Sequence, residues 1–260
     1  MVVVLRQIQE KCQQQNMGLF AAFIDLIKAF DTVSREGLWK ILARLGCPPK
    51  YLCIFRQLHE GQIGQVKHNG VLLDSFPIAN GVKQECVLAP TLFSIFFSIM
   101  LQEAKEDLMD GIFLHFRTDG SVFNLCRLLV HNKTIEVLIV ELLFADDCAL
   151  LAHTQEALQY IVNCFAEAAK AVGLIISLNK LEVLHQLPPG GVYSPPQISI
   201  KGTSLNSVEH FTYLGSVISN DATVNKDLDN RLARASSAFG RLHKRVGRTT
   251  PSTSPQRSSV

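Results

Sequence analysis

The sequence predicts an α+β fold in which an antiparallel sheet is backed by helices. Three observations predict it. The apolar, aromatic-rich run from Phe20 to Ile24 stops at Asp25, as a buried strand does on reaching the edge of a site or of solvent. Two further apolar runs, Val140 to Phe144 and Cys148 to Ala152, flank an Asp146-Asp147 turn and read as strands beside the first. Between the strands lie apolar stripes at helical spacing: Leu38, Ile41, Leu42 and Leu45, and later Leu158, Ile161, Val162, Phe165, Ala169 and Val172.

Taken in order, residues 1–11 begin apolar and turn polar like an amphipathic helix. The Leu38 stripe ends at Gly46, before Pro48 and Pro49, and a second helix runs from Lys50 to His59. Gln65 to Leu73 predicts a hairpin, because Asn69-Gly70 supplies the positive φ angles of a type I′ turn. Thr91 to Met109 reads as a largely buried helix. Thr154 caps the helix that follows the Asp-Asp hairpin, and Gly173 ends it. Pro188 to Pro196 is a breaker-rich loop leading to short strands around Ile198–Ile200 and Phe211–Leu214.

Composition excludes several classes. With 260 residues, 47% hydrophobic and 18% charged, the chain can bury a sizeable core and is not a disordered protein. The seven cysteines (Cys12, Cys47, Cys53, Cys86, Cys126, Cys148 and Cys164) are scattered without a CxxC pair, so reduced thiols are expected, not zinc or a disulfide framework. Residues 1–11 are too short an apolar stretch for a secretion signal, and Asn132-Lys-Thr is a weak sequon. The longest apolar tract, Val87 to Leu101, falls short of the ~20 residues of a membrane span. A soluble intracellular chain, cytoplasmic or nuclear, is expected, with no membrane partner. There is no P-loop, GxSxG or HExxH sequence.

Charge is uneven. The net charge is only +2, yet residues 230 to 260 hold seven Lys or Arg and no acid, which leaves the rest at −5. Arg231, Arg234, Arg241, Lys244, Arg245 and Arg248 share a helical pattern with Leu232, Ala235, Phe239 and Leu242. That pattern suits phosphate contact, and equally a solvated basic face. From Gly247 the sequence is rich in Ser, Thr and Pro and cannot build a core.

The carboxylates carry the chemistry. Two like charges about 4 Å apart repel by roughly 4 kcal/mol at an effective dielectric of 20, so Asp146 and Asp147 need compensation. A divalent cation, Mg²⁺ or Mn²⁺, suits oxygen ligands; a solvent-screened hairpin turn explains the pair equally well. Asp25, at the end of a similar apolar run, adds a third acid to the first reading. Asp31, near Ser34 and Glu36, is read as a solvated acid at a helix start.

Phe23-Ile-Asp25-Leu-Ile-Lys-Ala-Phe30-Asp-Thr-Val33 resembles the first catalytic motif of reverse transcriptases from non-LTR retrotransposons. The segments that follow are similar to the family's later motifs, in order: Gly81-Val-Lys-Gln84-Glu85-Cys-Val-Leu-Ala-Pro90, Phe144-Ala-Asp146-Asp147, Gly173 to Val183 with Lys180, and Phe211-Thr-Tyr213-Leu214-Gly215. The resemblance covers roughly residues 1 to 247. It implies a polymerase palm with partial fingers over 1–187, a loop and primer-holding region over 188–220, the start of a thumb helix over 221–247, and a disordered tail over 248–260.

The resemblance also implies roles. Asp25, Asp146 and Asp147 would hold two Mg²⁺ or Mn²⁺ ions for nucleotidyl transfer to a primer 3′-hydroxyl, and Lys180 would give a proton to the leaving pyrophosphate. Phe30 would exclude a ribose 2′-hydroxyl, with a core aromatic as the plainer reading, and Gly81 and Gln84 would lie at the nucleotide. Phe211, Tyr213, Leu214 and Gly215 would hold the primer, with Arg231 and Arg234 on nucleic-acid phosphates. The partners would be an RNA template, a DNA primer and deoxynucleoside triphosphates; the oligomeric state is left open.

Three departures matter: Glu85 stands where the family prefers glycine, Leu181 replaces the usual threonine, and only about twenty residues precede the first motif. The expectation is therefore a polymerase core truncated at both ends, its last stretch replacing the thumb by truncation or a changed reading frame. A catalytically inactive remnant that at most binds nucleic acid is the second reading.

Overall fold

The computed structural model describes residues 1–83, 86–104, 111–117, 134–191 and 194–246. Gln84, Glu85, Cys126, the Asn132 sequon, Arg248 and the tail over 248–260 lie outside the described residues, as does the expected helix beyond residue 104.

The chain opens with helix α1 (Val2–Gln14), strand β1 (Leu19–Ile24), the single turn α2 (Ala29–Thr32), and helices α3 (Arg35–Arg44) and α4 (Pro49–His59). Four two-residue strands follow: β2 (Ile63–Gly64), β3 (Lys67–His68), β4 (Val71–Leu72) and β5 (Phe76–Pro77). Helix α5 (Ala89–Ala104), the hairpin β6 (Ile112–Arg117) and β7 (Thr134–Ile139), then β8 (Glu141–Phe144), β9 (Asp147–Ala152) and helix α6 (Gln155–Ala171) form the middle. The last third holds β10 (Glu182–Gln186), β11 (Ser199–Ile200), β12 (Thr203–Ser204), β13 (Asn206–Val208), the hairpin β14 (His210–Tyr213) and β15 (Ser216–Ser219), and helix α7 (Asn225–Val246).

The central sheet runs β13-β10-β1-β9-β8. Its pairings are antiparallel except for β10 with β13, which is parallel, so the expected antiparallel sheet is corrected at one edge. Both faces are covered, and residues alternate between two cores. Ala22 and Ile24 of β1, with Cys148, Leu150 and Ala152 of β9, face α5 and α6, where Phe93, Phe96, Phe97 and Phe165 are fully buried. Ala21 and Phe23, with Ala149 and Leu151, face Leu5, Ile8 and Cys12 of α1, Ile112 and Leu114 of β6, and Tyr213 and Ile218. Burial on both faces is why these strands read as continuous apolar runs and not as alternation.

Local signals hold where sequence chemistry is strong. Ser34 caps α3 through Gly37 N–H, and Thr154 caps α6 through Ala157 N–H. Gly173 ends α6 at φ +79°. Asn69 and Gly70 take positive φ between β3 and β4 as expected. The buried helix begins two residues earlier than Thr91, at Ala89.

Candidate functional site

The site grows from the strand register. Ile24 of β1 faces Cys148 of β9, so the residues that follow and precede them, Asp25 and Asp147, meet at the same end of the sheet. They line one pocket of about 230 Å³ together with Lys180, Phe211, Thr212 and Tyr213. Asp25 and Asp147 are half-buried. Burial first, then the charges of Asp146 and Asp25, hold the Asp147 carboxyl above its ordinary pKa.

Asp146 is the neighbour and not a wall of this pocket. The β8–β9 hairpin closes in two residues, Ala145 and Asp146, with Phe144 opposite Asp147. Ala145 sits at φ +55°, a left-handed conformation that costs an alanine about 1–2 kcal/mol and turns the hairpin sharply. Among the described residues no group of three or more His, Cys, Asp or Glu side chains is gathered closely enough to hold a metal ion. The structure thus brings Asp25 and Asp147 together and leaves Asp146 beside them.

Lys180 arrives from the far side. Leu26 bridges Ile176, Ser177 N–H donates to Asp25 O at 2.9 Å, and Ile27 N–H donates to Ile175 O at 2.8 Å, which stitches residues 175–177 to the end of β1. The short 3₁₀ turn Leu178–Lys180 then sets the ammonium on Asp25 Oδ2 at 2.9 Å. That bond holds the Lys180 pKa above its ordinary value, and Asp146 adds to it from a distance. Carboxylate oxygens suit a hard divalent ion, and Asp25 and Asp147 are the residues that could hold one, with Lys180 already paired to one oxygen of Asp25.

The roof is the β14–β15 hairpin. Its turn residues Leu214 and Gly215 both have positive φ, 48° and 79°. The ring of Phe211 stacks on Phe23 with centroids 3.9 Å apart, and Tyr213 lies 5.4 Å from Phe23. Tyr213 is 3% exposed and its hydroxyl has no hydrogen-bond partner among the described residues. Burial, then the charge of Asp147, pushes the phenol's pKa up.

Phe30 and Gly81 are placed together, a few residues beyond Asp25. Phe30 is half-buried and stacked on Phe93 at 4.5 Å, so one of its faces belongs to the core. Gly81, at φ +82°, presses its backbone on residues 30–31: a Cβ there would fall 2.7 Å from Asp31 O and 2.8 Å from Phe30 O. Gly81 N–H donates to Val33 O and Val82 N–H to Phe30 O. Asp31 is exposed within α2, while Ser34 caps the following helix.

Two residues of consequence escaped the sequence reading. Arg35 donates to Gly81 O at 2.8 Å, His59 O at 2.6 Å, Ile78 O at 3.0 Å and Gln62 Oε1 at 2.7 Å, tying the loop of β2–β5 to the first motif. Asp227, buried at the start of α7, accepts from Val217 N–H at 2.9 Å, Arg6 at 2.8 Å and Arg231 at 3.0 Å. Those donors, Val217 first, hold its carboxyl at about 2. Arg231 also donates to Ser216 Oγ at 2.6 Å, so part of its exposed guanidinium is engaged within the chain. Arg234 is exposed. Neither Arg35 nor Asp227 lies in a recognisable motif, and in sequence Asp227 is an ordinary acid in a helix's first turn.

The strand-end acids and the aromatic hairpin above them stand on a mixed sheet backed by helices, a palm-like α+β arrangement. Residues 3–218 match the family described as reverse transcriptase (RNA-dependent DNA polymerase), and the chain belongs to that family. It is 27% identical over 216 residues to an RNA-directed DNA polymerase from the mobile element jockey of Drosophila funebris, covering 80% of this chain and 20% of that protein. It is 24% identical over 228 residues to a retrovirus-related Pol polyprotein from the type-1 retrotransposable element R2 of Bradysia coprophila, covering 83% of this chain and 23% of that one. The expected retrotransposon resemblance is borne out, and the chain spans about a fifth of the length of these relatives.

In structure the chain is similar to apo telomerase from Candida tropicalis truncated from its C-terminal domain, with a TM-score of 0.55 at 15% identity over 86% of this chain and 39% of that one. That likeness bears out the α+β palm. Among the described residues no helix is long and apolar enough to cross a membrane.

Proposed function

We propose that this chain is the palm-centred core of an RNA-directed DNA polymerase that extends a DNA primer along an RNA template with deoxynucleoside triphosphates. The observation that carries the reading is the meeting of Asp25 and Asp147 in one pocket beneath the Phe211–Tyr213 strand. Asp25 and Asp147 supply the oxygens for Mg²⁺ or Mn²⁺, with Asp146 adding charge beside them. When bound, such ions lower the pKa of a primer hydroxyl and neutralise triphosphate charge.

The chain's own groups do the rest. Lys180, held at the pocket by Asp25, would be the group that gives a proton to the departing pyrophosphate. Tyr213, with its hydroxyl unpaired among the described residues, and Phe211 hold the primer end over the carboxylates, on the turn made by Leu214 and Gly215. Phe30, braced by Phe93, walls off the sugar, and the Gly81 backbone borders the nucleotide. Arg234 contacts phosphate from α7.

A second reading, a remnant that binds nucleic acid without turnover, is favoured by the Lys180–Asp25 pair and by the lack of a three-ligand group among the described residues. Primer extension on an RNA template with Mg²⁺ or Mn²⁺, beside an Asp146→Ala, Asp147→Ala control, separates the two. Metal-dependent synthesis lost in the control supports the polymerase. Salt-sensitive binding without synthesis supports the remnant. Under the first reading Glu85→Gly raises the rate of extension.

A further inference from the structure

The hairpin that roofs the pocket is short, and among the described residues its strands pair only with each other. Two-stranded ribbons are marginal on their own. What fixes this one is a polar knot on its outer strand, β15. Val217, the register partner of pocket-lining Thr212, gives its N–H to Asp227 Oδ1 and receives Arg6 on its carbonyl at 3.4 Å. Asp227 Oδ2 takes both Arg6 and Arg231, and Arg231 reaches on to Ser216 beside the turn. Two residues along β15, Ser219 O accepts from Gln9, whose own carbonyl accepts from the buried Gln186 of β10. The first helix, the last helix and the central sheet thus hold the hairpin at three points.

We infer that Asp227 is a positioning residue that sets the height and tilt of the Phe211–Tyr213 strand above Asp25 and Asp147, acting through Val217, Arg6 and Arg231. The inference rests on the polymerase reading for its functional consequence, and on the contacts alone for its structural one. Asp227 is 4% exposed, and its helix is otherwise largely exposed, so the carboxylate is an anchor and not a solvated cap. Losing charge-assisted bonds at a buried site leaves Arg6 and the Val217 N–H short of partners at the same moment.

The test uses the full chain with Asp227→Asn, which keeps size and one acceptor, and Arg6→Gln, which removes the opposite partner. Hydrogen exchange of the 210–219 amides is measured in both, beside primer–template affinity by anisotropy and, where extension is observed, KM for the primer and kcat. The expected result is exchange at 212–219 faster by roughly tenfold or more in each variant, while the amides of β1 and β9 keep their protection. KM for the primer rises by a similar factor, which a smaller folded fraction would not produce, and primer affinity corrected for the folded fraction falls with it.

Unchanged exchange at 212–219, or equal acceleration throughout the sheet, overturns the inference. So does a loosened hairpin with primer affinity and KM unmoved. If the unmodified chain binds no primer–template, the polymerase reading fails, and the exchange measurement by itself decides the positioning role.

Discussion

Replacing Gly81 by alanine isolates how tightly the second motif is pressed on the first. At φ +82° an alanine pays the left-handed penalty, about 1–2 kcal/mol. The added Cβ would also stand 2.7 Å from Asp31 O, 2.8 Å from Asp31 Cα and 2.8 Å from Phe30 O, all backbone atoms that cannot rotate away. Relief requires the Phe30–Asp31 backbone to move, an overpacking cost of about 1–3 kcal/mol. Gly173 provides the control, because it has nearly the same φ, +79°, with nothing within 4 Å of the would-be Cβ. Urea denaturation of the two variants then separates conformation from contact. Gly173→Ala is expected to lose about 1–2 kcal/mol and Gly81→Ala about 2–5 kcal/mol, with matching m-values. Equal losses would refute the close approach, and with it the account of how Phe30 is held.

Tyr213→Phe removes a buried hydroxyl without a partner among the described residues, so stability in urea rises or holds within about 1 kcal/mol while primer extension and primer affinity fall; loss of stability would mean that the hydroxyl is satisfied within the fold. Asp147→Asn tests the raised pKa. A carboxyl whose folded-state pKa lies above its ordinary value leaves the fold fully stable at low pH and weakens it as pH rises through the folded value. The variant should therefore melt higher than the parent at pH 7 and level with it near pH ~3, though it extends no primer; a gap widest in acid contradicts this. Lys180→Met breaks an exposed pair, so thermal melting stays put, yet extension slows by roughly 10²-fold or more if Lys180 protonates pyrophosphate. Equal rates for parent and variant would remove Lys180 from the chemistry.

What the sequence made legible was local. Capping by Thr154, termination at Gly173 and the Asn69-Gly70 turn each depend on a few neighbouring residues whose chemistry permits one conformation. The carboxylates were legible because an acid at the end of an apolar strand is expensive wherever it falls. What stayed hidden was long-range and polar. Arg35 reads as one more basic residue at a helix start, and only the folded chain brings four acceptors to it. Arg231 reads as part of a basic stripe, and its partner Asp227 one turn earlier reads as an ordinary helical acid. Asp146 and Asp147 look equivalent in sequence, but strand pleat and the left-handed Ala145 give them different surroundings. The parallel pairing of β13 with β10 follows from where a long loop returns, which no periodicity records.

The bond from Arg6 to Asp227 spans 221 positions of the chain, and that from Gln9 to Ser219 spans 210. At ribosomal speeds of about 5–20 residues per second, α1 waits on the order of 10 to 40 s for these partners to be made. Until then the apolar face of α1, Leu5, Ile8 and Cys12, lacks part of the surface it rests on. Closing the pocket's roof is thus a non-local step, slower than the local turns and caps, and it follows from the placement of one arginine.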